Sequence, residues 1–418
     1  MRMKHSIFKG LDFSPPALIL KCVEDSHIGL GAVRSLGRLG VPVYGIGGSR
    51  RIPSTHSRFF RDWFFHEIDA NTPDEELVDF ILGVARKIGR SVPLITVDVF
   101  ACLVARNYDT FREFFILPEM DPALVPILSN KWEMQLMAEK HGVPTAKAVA
   151  PMTKTEVEEF AKDARFPLLF KASEWTDVET RPSDRMVIIN SAEELMRQCE
   201  IFQQQECPHV ILQEYIYGKG TQDWIFNGYF DDHSDCLLAF TGIKTRQAPV
   251  RTGYASLAEC STNEVVKSTS IKFLREIGYK GPVDMDFRFD PRDGLYKILD
   301  VNARIGASFR LFVCREGLDI VRAMYLDRTG QKIPEDVESD GRKWIVEDRD
   351  VRSAYTYYRE NTLTMGEWLR SLRGVKEAAW FAWDDPLPFL IQFFHIFEKK
   401  IKGMIDLLGV IRSKFFRT

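Results

Sequence analysis

The segment Val283–Gly306, VDMDFRFDPRDGLYKILDVNARIG, concentrates residue types that hold a hard metal ion. Two strand-like runs flank Asp290–Gly294, a turn built of Asp, Pro and Gly. Period-2 alternation sets Val283, Met285, Phe287 and Phe289 on one face of the first run and Asp284, Asp286 and Arg288 on the other. On the second run Leu295, Leu299 and Val301 share a face, and Asp300 and Asn302 share the opposite one. Asp286, Asp300 and Asn302 are therefore expected on one side of a hairpin. Two carboxylates and an amide oxygen suit Mg2+, which keeps several waters and binds substrate phosphates alongside protein oxygens. A half-buried hairpin with a solvated polar face satisfies the same spacing. Arg304, in the turn that ends at Gly306, can reach the same space and stabilise developing negative charge. Upstream, residues 242–253 (GIKTRQAPVRTG) gather Lys244, Arg246 and Arg251 with glycine and proline just after a strand. Read as a loop, this cluster either binds a carboxylate or acyl-phosphate substrate or is simply solvated.

The elements that position these residues are legible as patterns. Residues 1–125 alternate short apolar runs with helical periodicity, as a parallel α/β unit does. Strands are expected at Ala17–Val23, Val41–Ile46 and Pro93–Val97, and helices at Gly31–Leu39, Glu75–Ile88 and Val99–Asn107. The Gly29–Gly31 stretch reads as a tight turn between strand and helix; it does not supply a GxGxxG phosphate loop. A proline-dotted connector, Pro118–Pro126, precedes a helix at Asn130–His141 that stops at Gly142. Helices Glu156–Asp163 and Ala192–Gln204 flank a strand at Pro167–Ala172. Val210–Ile216, Trp224–Phe230 and Leu237–Lys244 are strand-like, and Val265–Glu276 is helical.

The hairpin resembles the metal-binding end of ATP-grasp enzymes, in which an acid before Phe precedes an acid-x-Asn pair on the next strand. Asn130-Lys131 opening a helix is similar to the family's lysine-bearing helix, and Phe166–Lys171 to the strand whose terminal lysine grips the nucleotide phosphates. Val210–Ile216 resembles the hinge strand that meets the adenine edge. The order lysine, lysine, hinge, acid, metal pair runs from Leu128 to Gly306. The resemblance implies an α/β (α+β grasp) architecture: a preceding α/β domain (1–125), a two-part grasp domain (126–330, small lobe 126–208, large lobe 209–330) and a C-terminal helical extension (331–418). It implies ATP held by Lys131, Lys171, Gln213, Glu214, Ile216 and Asp223, with Mg2+ on Asp286, Asp300 and Asn302. Lys171 and Arg304 become the catalytic cations, and Lys244, Arg246 and Arg251 the substrate-binding ones. The implied reaction is ATP-dependent joining of a carboxylate to an amine through an acyl-phosphate, of the D-aspartate or D-alanine ligase type. Two features depart from the pattern. Ser173–Arg185, where a Gly-rich loop is expected, contains no glycine, leaving Ser173, Thr176, Ser183 or Arg185 to contact phosphate; Asp300 stands where a glutamate is expected. An ATP-binding assembly or regulatory factor without turnover is the alternative those departures leave open.

The whole chain limits the remaining choices. Its 418 residues carry 56 Lys plus Arg against 59 Asp plus Glu, a net charge of −3 that argues against a nucleic-acid binder. Seven scattered cysteines, none in a CxxC pair, suit reduced thiols in a cytoplasmic protein. No GxSxG, HExxH or GxxxxGK occurs. Trp344, Trp368, Trp380 and Trp383 read as the aromatic core of a small C-terminal unit. Asp384-Asp-Pro-Leu-Pro388 then introduces Phe389–Phe416, an apolar and basic stretch resembling the tails of ATP-grasp proteins of cell-surface polymer synthesis. It suits peripheral contact with the inner face of an anionic membrane; packing on the body or at a homodimer interface explains it equally.

Overall fold

The computed structural model describes residues 6–22, 26–68, 72–172, 186–204, 210–217 and 222–398. The glycine-free stretch at 173–185 and the tail beyond 398 lie outside the described residues. Three sheets organise the chain. The first is parallel, built of β1 (Ala17–Cys22), β2 (Val43–Gly47), β3 (Phe60–Phe65) and β4 (Val92–Leu94) in the order β3-β2-β1-β4. Alternation along β1 sorts its side chains between two cores. Leu18 and Leu20 pack with α2 (Asp74–Ile88), α3 (Asp98–Arg106) and α4 (Tyr108–Phe114), while Ala17 and Ile19 pack with α1 (Ile28–Gly37) and the body of the molecule. The expected turn at Gly29–Gly31 is instead the first turn of α1. Gly31 serves close approach: a Cβ there would lie 2.9 Å from Arg310 Cγ and 3.0 Å from the Phe309 ring.

A connector carries α5 (Leu124–Ser129) and α6 (Lys131–Lys140) into a small antiparallel sheet. Its strands β5 (Ala148–Val149), β6 (Leu168–Ala172), β7 (Met186–Ile189) and β8 (Val210–Glu214) lie in the order β5-β8-β6-β7. Leu168, Phe170, Ile189 and Leu212 pack with Val157 of α7 (Lys154–Asp163) and Leu195 of α8 (Ala192–Gln204). Period-2 alternation leaves Leu169, Lys171 and Gln213 for the opposite face, where they line a cleft.

The third sheet has seven strands: β9 (Gln222–Phe230), β10 (Cys236–Ala248), β11 (Tyr254–Cys260), β12 (Gly281–Asp290), β13 (Leu295–Asn302), β14 (Lys343–Ile345) and β15 (Val375–Ala378). They lie in the order β13-β12-β9-β10-β11-β14-β15. One core sets Phe226, Phe230, Val283, Met285 and Phe287 with α9 (Glu264–Glu276) and α6; the other sets Tyr229 and Phe240 with α10 (Ile320–Arg328) and α1. β10 runs four residues past its expected end at Lys244, so Lys244 and Arg246 belong to a strand, not a loop. Register slips at Thr245 and again beyond Arg246 break strict alternation there.

Past residue 330 the chain returns to this sheet, adding β14 and β15 at its edge and α11 (Glu347–Arg359) and α12 (Met365–Ser371) beside it. The four tryptophans do not form a core of their own. Trp344 and Trp380 are fully buried with Ile19 and Leu30, Trp368 Nε1 donates to Asp350, and Trp383 is 90% exposed. The Asp384-Asp385 pair clasps α1. Arg34 donates through Nε to Asp385 Oδ2 at 2.9 Å and to the carbonyls of Ala379, Trp380 and Asp385, and Arg38 binds Asp384 twice at 2.9 Å. Asp385 also accepts from Ser57 Oγ and the Arg58 N–H. Removing one partner of so buried a pair leaves an uncompensated charge, so Asp385→Ala is expected to cost about 3–5 kcal/mol, measured by urea unfolding of the full chain, while Asp384→Ala, at the half-exposed pair, costs about 1 kcal/mol or less.

Candidate functional site

The β12–β13 hairpin pairs Asp284 with Asn302 and Asp286 with Asp300, so the expected donors lie on neighbouring strands in register. Beyond Asp286 the register slips, and Phe287 pairs with Ile298. This bulge corrects the expected face of the second strand: Ile298 and Val301 enter the core, while Leu299 lines the cleft beside Asp300. Each acid has a cationic neighbour. Asp300 is paired with the Lys131 ammonium, and Asp286 Oδ2 accepts from Lys244 Nζ at 2.7 Å. Burial alone would raise the Asp300 carboxyl, but Lys131, with Arg304 and Lys171 behind it, holds it below the usual carboxylate range. At Asp286 burial prevails over Lys244 and the carboxyl is raised; at Asp284 burial and the Asp286 charge push it up to about 7. Asn302 Oδ1 accepts from Arg304 Nη2 at 2.8 Å. Gly306 sits where a Cβ would overlap the Asp284 side chain.

Lys131 is the first residue of α6 because Asn130 caps that helix, its side-chain oxygen accepting from Trp132 N at 3.0 Å and Glu133 N at 3.1 Å. Across the cleft, Lys171 Nζ donates to Gln213 Oε1 at 2.6 Å, and Gln213 donates on to Gln135 of α6 at 3.0 Å. Burial, then the nearby Lys131 ammonium, lowers Lys171 to about 8. The hinge groups are differently engaged than expected. The Glu214 N–H bonds Lys147 O at 2.8 Å, its carboxylate accepts from Arg165 N at 3.0 Å, and Ile216 O accepts from Arg288 Nη1 at 3.2 Å.

Asp223 is likewise gripped, by the Arg288 guanidinium on both oxygens and by Gln247 Nε2. Arg288 also lies over the Tyr215 ring, 5.2 Å from its centroid. The three cations expected for the substrate all border the same cavity, each already paired with an acid. Lys244 is paired with Asp286; Arg246 is held by Asp350 and Ser371 and borders the larger cavity; Arg251 pairs with Glu360 at 2.5 Å on a half-exposed turn that borders both the pocket and that cavity. Arg304 is buried and bound to both Asp98 oxygens, at 2.9 and 3.0 Å, which raises it further despite burial. Lys131, Lys171, Gln213, Asp223, Lys244, Asp286, Leu299 and Asp300 line one pocket that continues past Asp223 and Lys244 into a cavity of about 680 Å3, a size that accepts a ligand of several rings.

Asp98, Arg288, Gln135 and Gln247 are the site residues that sequence reasoning missed. Arg288 carried a signal, since alternation set it on the face of Asp284 and Asp286. Asp98 carried none, because its partner Arg304 is 206 residues away. The oxygen donors fit a hard cation: two opposed carboxylates and an amide, open to a cavity and close to two lysines that suit phosphate.

Residues 235–335 match the family model described as the carbamoyl-phosphate synthase L chain, ATP binding domain. The chain is 26% identical over 244 residues to a D-aspartate ligase of Enterococcus faecium, a match covering 56% of this chain and 58% of that one. It thus spans little more than half the length of that relative. The biotin carboxylase domain of Hydrogenobacter thermophilus 2-oxoglutarate carboxylase, solved with MgADP and bicarbonate, superposes with a TM-score of 0.58 at 18% identity, covering 78% of this chain and 72% of that one. The L-amino acid ligase of Bacillus licheniformis superposes at 0.56 and 14% identity, covering 75% and 74%. The fold is thus one that this chain shares with these two enzymes. These matches are with ATP-grasp ligases, in keeping with the resemblance read from the sequence.

The Lys171 environment sets a pH dependence. Its ammonium is half lost near pH 8, whereas a bound polyanion restores it, so binding above that pH takes up a proton. Affinity for tripolyphosphate, measured by calorimetry, is expected to be level below pH 8 and to fall above it by at most about tenfold per pH unit. Lys171→Arg, charged throughout, is expected to flatten the fall.

Proposed function

We propose that the chain is an ATP-dependent carboxylate–amine ligase. The observation that carries this reading is the convergence of Lys131 from α6, Lys171 from the small sheet and Lys244 from the large sheet on the opposed Asp286 and Asp300. Such a site is built for the polyphosphate of a nucleotide, with Mg2+ on Asp286, Asp300 and Asn302 supplying neutralisation of phosphate charge when bound. The bend of the chain at Tyr215 and Ile216, with Leu299 opposite, takes the base.

In this mechanism a substrate carboxylate oxygen attacks the γ-phosphorus while its bond to the bridging oxygen breaks and ADP leaves. Lys171 and Lys131 hold the phosphate oxygens as charge shifts toward the leaving group. Arg304, fixed by Asp98 and bonded to Asn302 Oδ1, is the cation we assign to stabilise charge on the transferred group. An amine nitrogen then attacks the acyl carbon, the acyl carbon–oxygen bond breaks, and inorganic phosphate departs as the nitrogen loses a proton. The amino-acid ligases among the relatives support an amino acid as one of the two substrates. A carboxylate from cell-wall or cell-surface polymer synthesis is the acceptor we favour, on the sequence of the tail.

The proposal extends to peripheral contact with an anionic membrane surface. Residues 387–398 form a helix that buries Pro388 and Gln392 but exposes Leu387, Leu390, Phe393, Phe394 and Phe397. The sequence beyond adds Lys399, Lys400, Lys402, Arg412, Lys414 and Arg417 against Asp406. An apolar face followed by basic residues suits a lipid interface. No described helix is long and apolar enough to cross a membrane.

Two measurements test this reading. With Mg-ATP and a panel of amino acids and carboxylates, ADP release is expected only with a matched pair, and Asp286→Ala or Asp300→Ala is expected to lower kcat/KM at least about a hundredfold, close to 2.7 kcal/mol; binding of ATP without turnover on every pair would favour a non-catalytic factor. The full chain is expected to sediment with vesicles containing phosphatidylglycerol but not with phosphatidylcholine alone, and Phe393→Glu with Phe397→Glu to abolish sedimentation. Dimerisation without sedimentation would instead assign the aromatic face to a second copy.

A further inference from the structure

We infer that the lysines of the site lock its metal donors, so that divalent metal and nucleotide bind only together, by exchanging partners with the protein. The inference rests on the ligase reading and deepens it. Every proposed metal donor already serves a cation: Asp300 holds Lys131, Asp286 holds Lys244, and Asn302 Oδ1 accepts from Arg304. Among the described residues no three carboxylate, imidazole or thiolate side chains are gathered as a cage that takes a metal unaided.

The exclusion follows from charge and burial. The side chains of Lys244 and Lys131 are 8% and 19% exposed, so neither displaced ammonium turns freely into water. A divalent ion arriving alone would have to take Asp286 and Asp300 from their lysines and then sit beside two unpaired ammonium groups, with the Arg304 guanidinium on Asp98 close by. Stranding a buried charge in this way costs more than the new bond returns. A polyphosphate arriving alone has the mirror-image difficulty: it draws Lys131 and Lys244 to its oxygens and leaves two opposed carboxylates facing its own negative charge. When both arrive, the ammonium groups pass to phosphate, the carboxylates pass to metal, and every charge keeps a partner. Each ligand thus lowers the cost of the other, and the coupling is reciprocal.

The arrangement also ties the hairpin to two other elements. Lys131 stands on α6 and Lys244 on β10, whereas their acids are opposite one another on β13 and β12. Exchange of partners therefore loosens two ties that run from the hairpin to α6 and to β10. Lys171, on Gln213 rather than on an acid, is outside the exchange and is the group placed to meet phosphate first.

The test is a gain of function. Mn2+ is titrated into the full-length protein without nucleotide, the free ion being followed by its electron paramagnetic resonance signal. Wild type is expected to bind Mn2+ weakly. Lys131→Met with Lys244→Met is expected to bind it tighter by roughly 5–150-fold, the usual range of such couplings, and Asp300→Ala in that background to remove the gained site. Lys131→Gln with Lys244→Gln, checked for an unchanged thermal midpoint, guards against a variant that fails to fold. Equal Mn2+ affinity in wild type and in folded lysine variants would overturn the lock. Calorimetry of wild type with Mg2+ and β,γ-methylene-ATP separates the two claims: no binding there removes the ligase reading, whereas binding with equal Mn2+ affinities removes only the lock.

Discussion

Asp286 and Asp300 face each other across a strand pair, and the rest of the site is arranged around the repulsion this creates. Cross-strand neighbours lie roughly 5 Å apart; at an effective dielectric of about 20, two like charges at that spacing repel by roughly 3 kcal/mol. A hairpin alone has nothing to offset that cost. Lys131 and Lys244 offset it from α6 and β10, one on each acid. The opposing tendencies of the two carboxyls follow: Asp300, with three cations near it, stays ionised readily, while Asp286, with Lys244 alone against burial, is raised. A charge pair that suits a divalent ion is thus tolerable only in a fold that brings those lysines to it.

That requirement explains why the parts are so far apart in sequence. Asn130 fixes where α6 starts and so where Lys131 projects; β10, separated from β12 by β9, carries Lys244 to Asp286; Asp98, at the start of α3, reaches across to hold Arg304. The first sheet is therefore part of the site rather than a neighbour of it, since its α3 sets the guanidinium that binds Asn302. Arg34 and Arg38 tie α1 to Asp385 and Asp384, closing the chain's late residues onto its early ones. A motif that by its sequence looked like the lead-in to a tail is here the clasp that keeps the first sheet against the third.

What was legible in the sequence was local. The helix opening at Asn130-Lys131, the hairpin turn at Asp290–Gly294, and the span of α8 all follow from short-range periodicity and turn chemistry, and the structure has them where the pattern puts them. Illegible were the two places where a single residue shifts register. The bulge beyond Asp286 moves Leu299 from core to cleft, and the slip at Thr245 parts Lys244 from Arg246, although strict alternation would give each pair one face. Also illegible were contacts made only by folding, such as Arg288 with Asp223 and Arg304 with Asp98. A cation in a sequence does not reveal whether it awaits a substrate or already has a carboxylate.

Arg246 and Lys244 show how much rests on that distinction. Both are buried strand cations with one acid apiece, and both were expected to meet the substrate. Asp350, the partner of Arg246, is wholly buried, also takes Ser256 and Trp368 and does not border the pocket, so the guanidinium is fixed on an acid with no other partner to turn to. Asp286, the partner of Lys244, borders the pocket and faces Asp300. The first pair has no alternative arrangement in which both charges remain satisfied, and so it serves architecture. The second has one, provided that an anion and a cation arrive together, and so it can serve binding. Burial alone does not separate structural from functional ion pairs here; what separates them is whether each member has a second partner within reach.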